Sequence, residues 1–344
     1  MSNNGTGFLD WGNWGLYNHN KNYNYKVFFA KEVKNAKMNL FYFNPQTPMI
    51  KRYLNLVSRL NKTESVSEAD YVFVPHLWSS IKNNREYTDY LNKLSKKTPL
   101  LISNTDDTSP YCNLPNTLEF RTFLHPRESK YRKVIVPYPS KTKQFKIRSW
   151  KPIPTISFIG YVPKLSFGSL TSMSLSFLHS PIKSSVYLNR KISTRKLKNL
   201  SNDLNVVCIE RHIFTPLNTN KNFSAHSAEY EKNLLESDYI LCPRGFANTS
   251  IRFFEALSAG ATPILIDSGT NLPDLIDSAF WENNIISVNL FGNWLSQIKK
   301  DWEYLSKSNN YLSRQSYNRQ TFCNELDLHK FSEKIFSSYL TTKA

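Results

Sequence analysis

Short apolar runs alternate with longer, mixed segments along most of this chain. Tyr71-Val72-Phe73-Val74, Leu100 to Ser103, Lys133 to Val136, Thr155 to Gly160 and Asn205 to Ile209 each have the length of a strand. Tyr239 to Cys242, Thr262 to Ile266 and Ile285 to Val288 continue the series, and Asn39 to Phe43 has the same character. Between them, Pro48 to Asn61 repeats apolar residues at close to helical period through Ile50, Leu54 and Val57. Tyr87–Ser95, Ser185–Leu200, Ser227–Glu236, Trp294–Leu305 and Leu328–Tyr339 are also read as helices, with Tyr230 and Leu234 on one face of the third. Strand–helix alternation of this kind predicts mainly parallel sheets with helices on both faces. The Asn- and aromatic-rich first two dozen residues are read as loosely ordered or surface-lying. Leu165 to Ser180 is polar and Ser-rich, and Lys141 to Lys151 is a basic linker.

One stretch, Ser237 to Ile266, reads as strand, loop, helix, loop, strand. Gly245 permits a sharp loop after Pro243. Ser250 or Thr249 can cap the next helix, which packs through Ile251, Phe254, Leu257 and Phe253, and Gly260 ends it. In such a βαβ unit the loop lies at the carboxyl end of a parallel strand, where open α/β sheets bind ligands. The helix N-terminus adds unpaired N–H groups and partial positive charge, which suits an anion. Arg244 and Arg252 flank that place. Glu255 follows at i+3, and a carboxylate there suits a ribose or sugar diol.

The spaced set Arg244-Gly245, Ser250, Arg252, Glu255-Ala256, Gly260 and Pro263, after Cys242-Pro243, resembles the C-terminal signature of the exostosin-like glycosyltransferases. The likeness extends weakly from about Asn39 to Leu290. It includes the Glu68-Ala69-Asp70 turn before a strand ending in Pro75, and the strand closed by Pro137-Tyr138-Pro139. The resemblance implies two Rossmann-like domains facing a cleft, of GT-B type, with the last helix crossing back to the first domain. It puts the boundary near Ser149, giving residues 1–149 for the acceptor and 150–344 for the nucleotide sugar. It further implies an inverting transfer, a UDP-linked donor and a glycan or glycolipid acceptor.

Composition narrows the alternatives little. A net charge of +17 attracts nucleic acid, anionic membrane or anionic small molecules alike. The basic residues are spread along the chain rather than gathered into a stripe, so a nucleic-acid-binding protein is the weaker reading. A non-catalytic relative that binds glycan or nucleotide sugar is the nearer rival. A sulfotransferase-like protein would show an early strand–phosphate-loop–helix, which is not visible. The four cysteines lie far apart without metal-ligand spacing and are read as small buried hydrophobes. No run approaches the ~18 apolar residues of a membrane span, and the N-terminus has no signal-peptide pattern. The expectation is a cytoplasmic protein, compatible with peripheral contact at the inner face of an anionic membrane.

Candidate chemistry then falls on named residues. Arg244 is placed to neutralise a leaving diphosphate. Gly245 and the backbone of Asn248, Thr249 and Ser250 are further phosphate contacts, and Ser250 serves either as N-cap or as a hydroxyl donor. Arg252 and Glu255 either pair on an exposed helix face, worth about 0.2–0.5 kcal/mol, or support the phosphate and hold the ribose. Arg190 and Arg195 lie on a basic helix, facing the diphosphate or solvent, with Arg190 preferred. The base that takes the acceptor proton is sought at strand ends of the first half, in Asp106, Asp107 or His76. His125 and Glu119 lie in a less readable segment, and the family's glycine-aspartate-histidine-like segment is replaced here by Asn104-Thr105-Asp106-Asp107. That adjacent acidic pair is not the spaced motif of metal-dependent transferases. No metal and no cofactor beyond the donor are expected.

Overall fold

The computed structural model describes residues 26–30, 61–105, 111–124, 130–138, 140, 143–163, 181–212, 223–245, 248–266, 269–307 and 310–339. Two sheets organise them. The first contains β1 (Lys26–Phe29), β2 (Asn61–Thr63), β3 (Tyr71–Leu77), β4 (Leu100–Ser103), β5 (Thr117–Arg121) and β6 (Lys133–Ile135). The second contains β7 (Thr155–Tyr161), β8 (Asn205–Arg211), β9 (Tyr239–Cys242), β10 (Thr262–Ile266) and β11 (Ile286–Val288). Their orders are β2-β1-β3-β4-β5-β6 and β11-β10-β9-β7-β8, and every pairing is parallel.

Numbered within each half, both sheets share the doubly wound order 2-1-3-4-5, with a sixth strand added to the first. Direction reverses between the first and third strands, and that switch point is where such sheets open a crevice beyond their carboxyl ends. In the first half it falls between β1 and β3, in the second between β7 and β9. The expected pair of Rossmann-like units is therefore present.

Continuous apolar runs explain why the central strands form: β4, β9 and β10 are buried at every position. The edge strand β8 alternates between exposed and half-buried residues. In β3, Pro75 has no N–H for the ladder, and the register with β4 shifts between Phe73 and Leu77. Helices at Arg85–Ser95, Pro181–Asn199, Phe223–Glu236 and Trp294–Ser306 lie close to the expected ones.

The C-terminal helix does cross back. Phe331 from Leu328–Lys334, with Ile335 and Phe336 from the π-turn that follows, joins Val27, Tyr71, Phe73, Leu101, Phe120 and Val134 in the core of the first sheet. Leu275 and Ile276 of the second half pack on the same core, and Asp274 Oδ2 accepts from Ile135 N at 2.8 Å. This arrangement of two α/β units and a returning helix is of GT-B type.

The basic linker is tied to the second half at Arg148. Arg148 donates to the carbonyls of Ala259 at 3.1 Å and Gly260 at 2.6 Å, and its backbone N–H and C=O are bonded by the Gln315 amide. Its Nε lies 3.7 Å from the buried carboxylate of Asp238, which also accepts from Tyr311.

Three expectations need correction. Asn61 lies in β2 rather than ending a helix. Ile251 is 39% exposed and does not pack in the core, because it starts the helix on its outer side. The expected helix at Leu328–Tyr339 ends in a π-turn from Ile335. The readings of Asn39–Phe43, residues 1–25, Leu165–Ser180 and the rest of the Pro48–Asn61 helix, residues 48–60, lie outside the described residues. Among the described residues, no helix is long and apolar enough to cross a membrane. The four cysteines are free thiols.

Candidate donor site

The β9–helix–β10 unit sets the site. The Ile251–Ser258 helix buries Phe253, Phe254, Ala256 and Leu257 against Ile240, Cys242 and Leu265. Its C-terminus closes at Gly260, with φ +70° and Ala261 N bonded to Ala256 O at 2.9 Å. Arg319 donates to Ser258 O at 2.5 Å, so its orphan carbonyls are met by arginines of two other segments, Arg148 and Arg319.

At the other end, the loop after β9 folds back on itself. Gly245 N donates to Thr249 O at 3.0 Å, and a Cβ on Gly245 would stand 2.8 Å from that oxygen. Asn248 Nδ2 donates to Gly269 O and Thr270 Oγ1 to Asn248 O, both at 2.6 Å, tying this loop to the one after β10. Ser250 is the N-cap residue, yet its hydroxyl makes no cap bond. Of its two suggested roles, the side-chain cap is the one not taken. Asn248, Thr249 and Ser250 are all buried.

Two guanidinium groups, those of Arg190 and Arg252, meet at the switch point, and Arg244 lies in the loop beside them. Arg190 reaches from the Pro181–Asn199 helix, donating through Nε to Arg244 O and through Nη1 to Tyr161 O, each at 3.3 Å. It thus bridges the carboxyl ends of β7 and β9. Burial, followed by the repulsion of Arg252, lowers its pKa to about 10. Arg252 turns inward, donating from Nη2 to Ile159 O at 2.8 Å, with its guanidinium 4.7 Å from the Phe158 ring centre. Gly160 makes this possible, because a Cβ there would collide with Arg252 Nη2. Arg244 is half-buried in the loop, its pKa pushed down by burial, and its Nε has no hydrogen-bond partner. Arg252 Nε is likewise unpartnered. Arg195, by contrast, is exposed.

Arg252 and Glu255 do not pair with each other. Glu255 is 8% exposed; its Oε2 accepts from Tyr230 at 2.6 Å and its Oε1 meets Lys143 at 3.0 Å. Burial and the neighbouring carboxylate hold the Tyr230 phenol well above its usual range. Glu255 is therefore already neutralised by a lysine of the linker. The cluster is left with net positive charge, two orphan donors and a helix N-terminus.

Of the base candidates, Asp106, Asp107 and His125 lie outside the described residues. His76 is fully buried in β3, with Nδ1 3.4 Å from Tyr87 Oη and its ring edge-on to that of Tyr87. Burial lowers its pKa, which keeps the imidazole neutral. Glu119 points inward from β5, accepting from Asn104 Nδ2 at 3.1 Å and facing Arg121 at 3.4 Å. Lys143, Tyr230 and the Gly160–Tyr161 end of β7 are site residues the sequence did not single out for chemistry. Only Gly160 left a signal, as the glycine that closes an apolar strand.

Residues 179–279 match the family model described as the RXYLT1 C-terminal domain. That segment holds Arg190, Arg244, Arg252 and Glu255. No curated protein sequence matches the chain. Loosely similar solved structures include WaaG, a glycosyltransferase involved in lipopolysaccharide biosynthesis: 9% identity over 91% of this chain and 100% of that one, TM-score 0.35. A GtfA/B complex shows 10% identity over 90% and 64%, TM-score 0.36. MurG of Acinetobacter baumannii shows 13% identity over 87% and 82%, TM-score 0.34. At these TM-scores the likenesses add nothing to what strand order and side chains establish.

Proposed function

We propose that this protein is a glycosyltransferase that moves a sugar from a UDP-linked donor to a glycan or glycolipid acceptor, with inversion at the anomeric carbon. The observation that carries the reading is that Arg190 and Arg252 meet at one sheet switch point beside the loop that carries Arg244, whose Nε is buried and unpartnered. Unpaired buried donors are costly to keep, and an incoming diphosphate satisfies them. The family-model match over the same segment supports this reading.

In this mechanism Arg244, the Ser250 hydroxyl and the N–H groups of the Asn248–Ser250 turn hold the diphosphate, with Gly245 allowing its close approach. Arg190 and Arg252 set the positive field beneath it. As the bond from the anomeric carbon to the diphosphate breaks, charge builds on the leaving oxygens and preorganised cations stabilise it. Glu255, fixed by Tyr230 and Lys143, keeps further lone pairs for ribose hydroxyls. A base of the first half takes the acceptor proton as its oxygen attacks from the opposite face. Asp106 and Asp107, which follow the β4 segment in sequence, are the candidates for that base, with the buried His76 as the alternative. The arginines supply the cation charge, so no metal is included.

The test is acceptor-dependent release of UDP from UDP-glucose, UDP-galactose, UDP-xylose and UDP-N-acetylglucosamine. Turnover of at least one, reduced by about 100-fold or more in Arg244→Ala, is expected. Nucleotide binding without turnover of any donor would move the protein to the non-catalytic reading.

A further inference from the structure

We infer that the second domain carries a separate glycan-binding subsite, built on Trp150 at the edge of the sheet opposite the donor loop. It rests on the reading of the protein as a glycosyltransferase. A pocket of about 360 Å³ lies among the segment after the linker, the start of β8 and the second half of the Trp294–Ser306 helix. Trp150 and Ile153 line it just before β7 begins. The donor loop follows the far ends of the same parallel strands. Seven residues of β7, roughly 20 Å at the usual rise, separate the two places.

The floor of the pocket is aromatic and held in place. Trp150 stacks on Trp302 with ring centres 6.1 Å apart and planes 11° from parallel. Trp302 is 6% exposed and packs edge-on against Tyr239 and Tyr311. Its Nε1 donates to the carbonyls of Lys151 and Pro152 at 3.2 Å, pinning the segment that carries Trp150. Trp150 itself remains 44% exposed, and Ile153 48%. An exposed indole fixed from below costs little ordering entropy when a ligand covers it.

The rim selects the ligand class. Asp203 and Lys299 pair at 2.7 Å beside the exposed Glu303. Carboxylate acceptors and an ammonium donor around an aromatic face match a pyranose ring, whose C–H face is apolar and whose edge carries hydroxyls. With Asp203 neutralised by Lys299, the exposed Glu303 leaves the rim net negative, so the overall charge of +17 does not make this a site for nucleic acid or anionic lipid. Here the subsite would grip a distal sugar of an extended acceptor or product while transfer proceeds at the other edge.

Saturation-transfer NMR on the full chain with maltohexaose, cellohexaose, xylohexaose and chitohexaose, at saturating UDP, tests this. The expected result is transfer to ring C–H protons of at least one, lost in Trp150→Ala. The Asp203→Asn/Glu303→Gln double variant, which leaves the floor intact, should bind it about tenfold more weakly, the scale of losing hydrogen bonds to charged groups. UDP affinity should be unchanged in both, which reports an intact fold. No Trp150-dependent signal from any of the four overturns the proposal. So does loss of binding to phosphatidylcholine–phosphatidylserine vesicles in Trp150→Ala without any sugar signal, which would make the patch a membrane contact. Failure of UDP binding in the wild type, with the sugar signal intact, would instead remove the donor-site reading alone.

Discussion

Gly160→Ala is a one-carbon change aimed at the candidate donor site from beneath. The added methyl would stand only 2.4 Å from Arg252 Nη2 and 3.2 Å from Phe158 Cζ. Arg252 must then leave Ile159 O, a charge-assisted bond of 2.8 Å worth about 1.5–3 kcal/mol. It also leaves the Phe158 face, 4.7 Å from its guanidinium, worth about 0.5–2 kcal/mol. Together these give a loss of about 3 kcal/mol, which for a domain of this size lowers Tm by roughly 6–12 °C. Thermal unfolding followed by circular dichroism measures it, with UDP titration alongside. Arg252→Ala alone should cost a similar amount. The Gly160→Ala/Arg252→Ala pair should cost little more than Arg252→Ala, because the methyl then fills the space the guanidinium vacated. A coupling of about 1–3 kcal/mol is expected for residues in such contact. A Gly160→Ala protein with wild-type Tm and UDP affinity, or a strictly additive pair, would refute this account of Arg252.

Arg148→Met leaves Asp238 and two helix-terminal carbonyls without their buried partner, so urea unfolding should report a loss of about 3–5 kcal/mol; a loss under ~1 kcal/mol would mean that the linker is not the clamp described. His76 has a folded pKa below its ordinary 6.5 because of burial, so the unfolded chain binds its proton first as pH falls. Its contribution is therefore full above pH ~6.5 and is lost as pH drops from there through the folded pKa. His76→Gln should flatten that part of the stability–pH curve, and an unchanged curve would argue against a walled-in imidazole. Burial pushes the Cys112 and Cys242 thiols up to about 12, so iodoacetamide at pH ~8 should label them only after unfolding, as mass spectrometry of the two peptides would show.

How much of this was visible beforehand follows from where the information lies. β4, β9 and β10 coincide with the runs read from the chain, because strands buried on both faces need continuous apolar residues. β5, Thr-Leu-Glu-Phe-Arg, went unread because Glu119 and Arg121 face inward and pair there, which breaks the apolar pattern. The Asn310–Thr321 helix was missed for a related reason. Tyr311, Arg314, Gln315, Asn318 and Thr321 are buried at helical spacing, but polar residues at that spacing read as surface. The first four are buried because they bond the linker, Asp238, Ala261 and Asp301. The loop after β9 was legible because its glycines, cap and arginines are local. That Glu255 would be held by Lys143, more than a hundred residues away, and that Arg252 would turn under Gly160, depends on tertiary packing that local sequence does not carry.

The central claim is that the arginine cluster at the β7–β9 switch point binds a nucleoside diphosphate. Calorimetric titration of UDP, with GDP, CMP and ADP as comparisons, into the wild type, Arg244→Ala and Glu255→Ala tests it directly. The account predicts selective binding of UDP to the wild type, weakened at least about tenfold in both variants as charge-assisted contacts are lost. No heat from any nucleotide, or UDP binding that neither substitution alters, would contradict it.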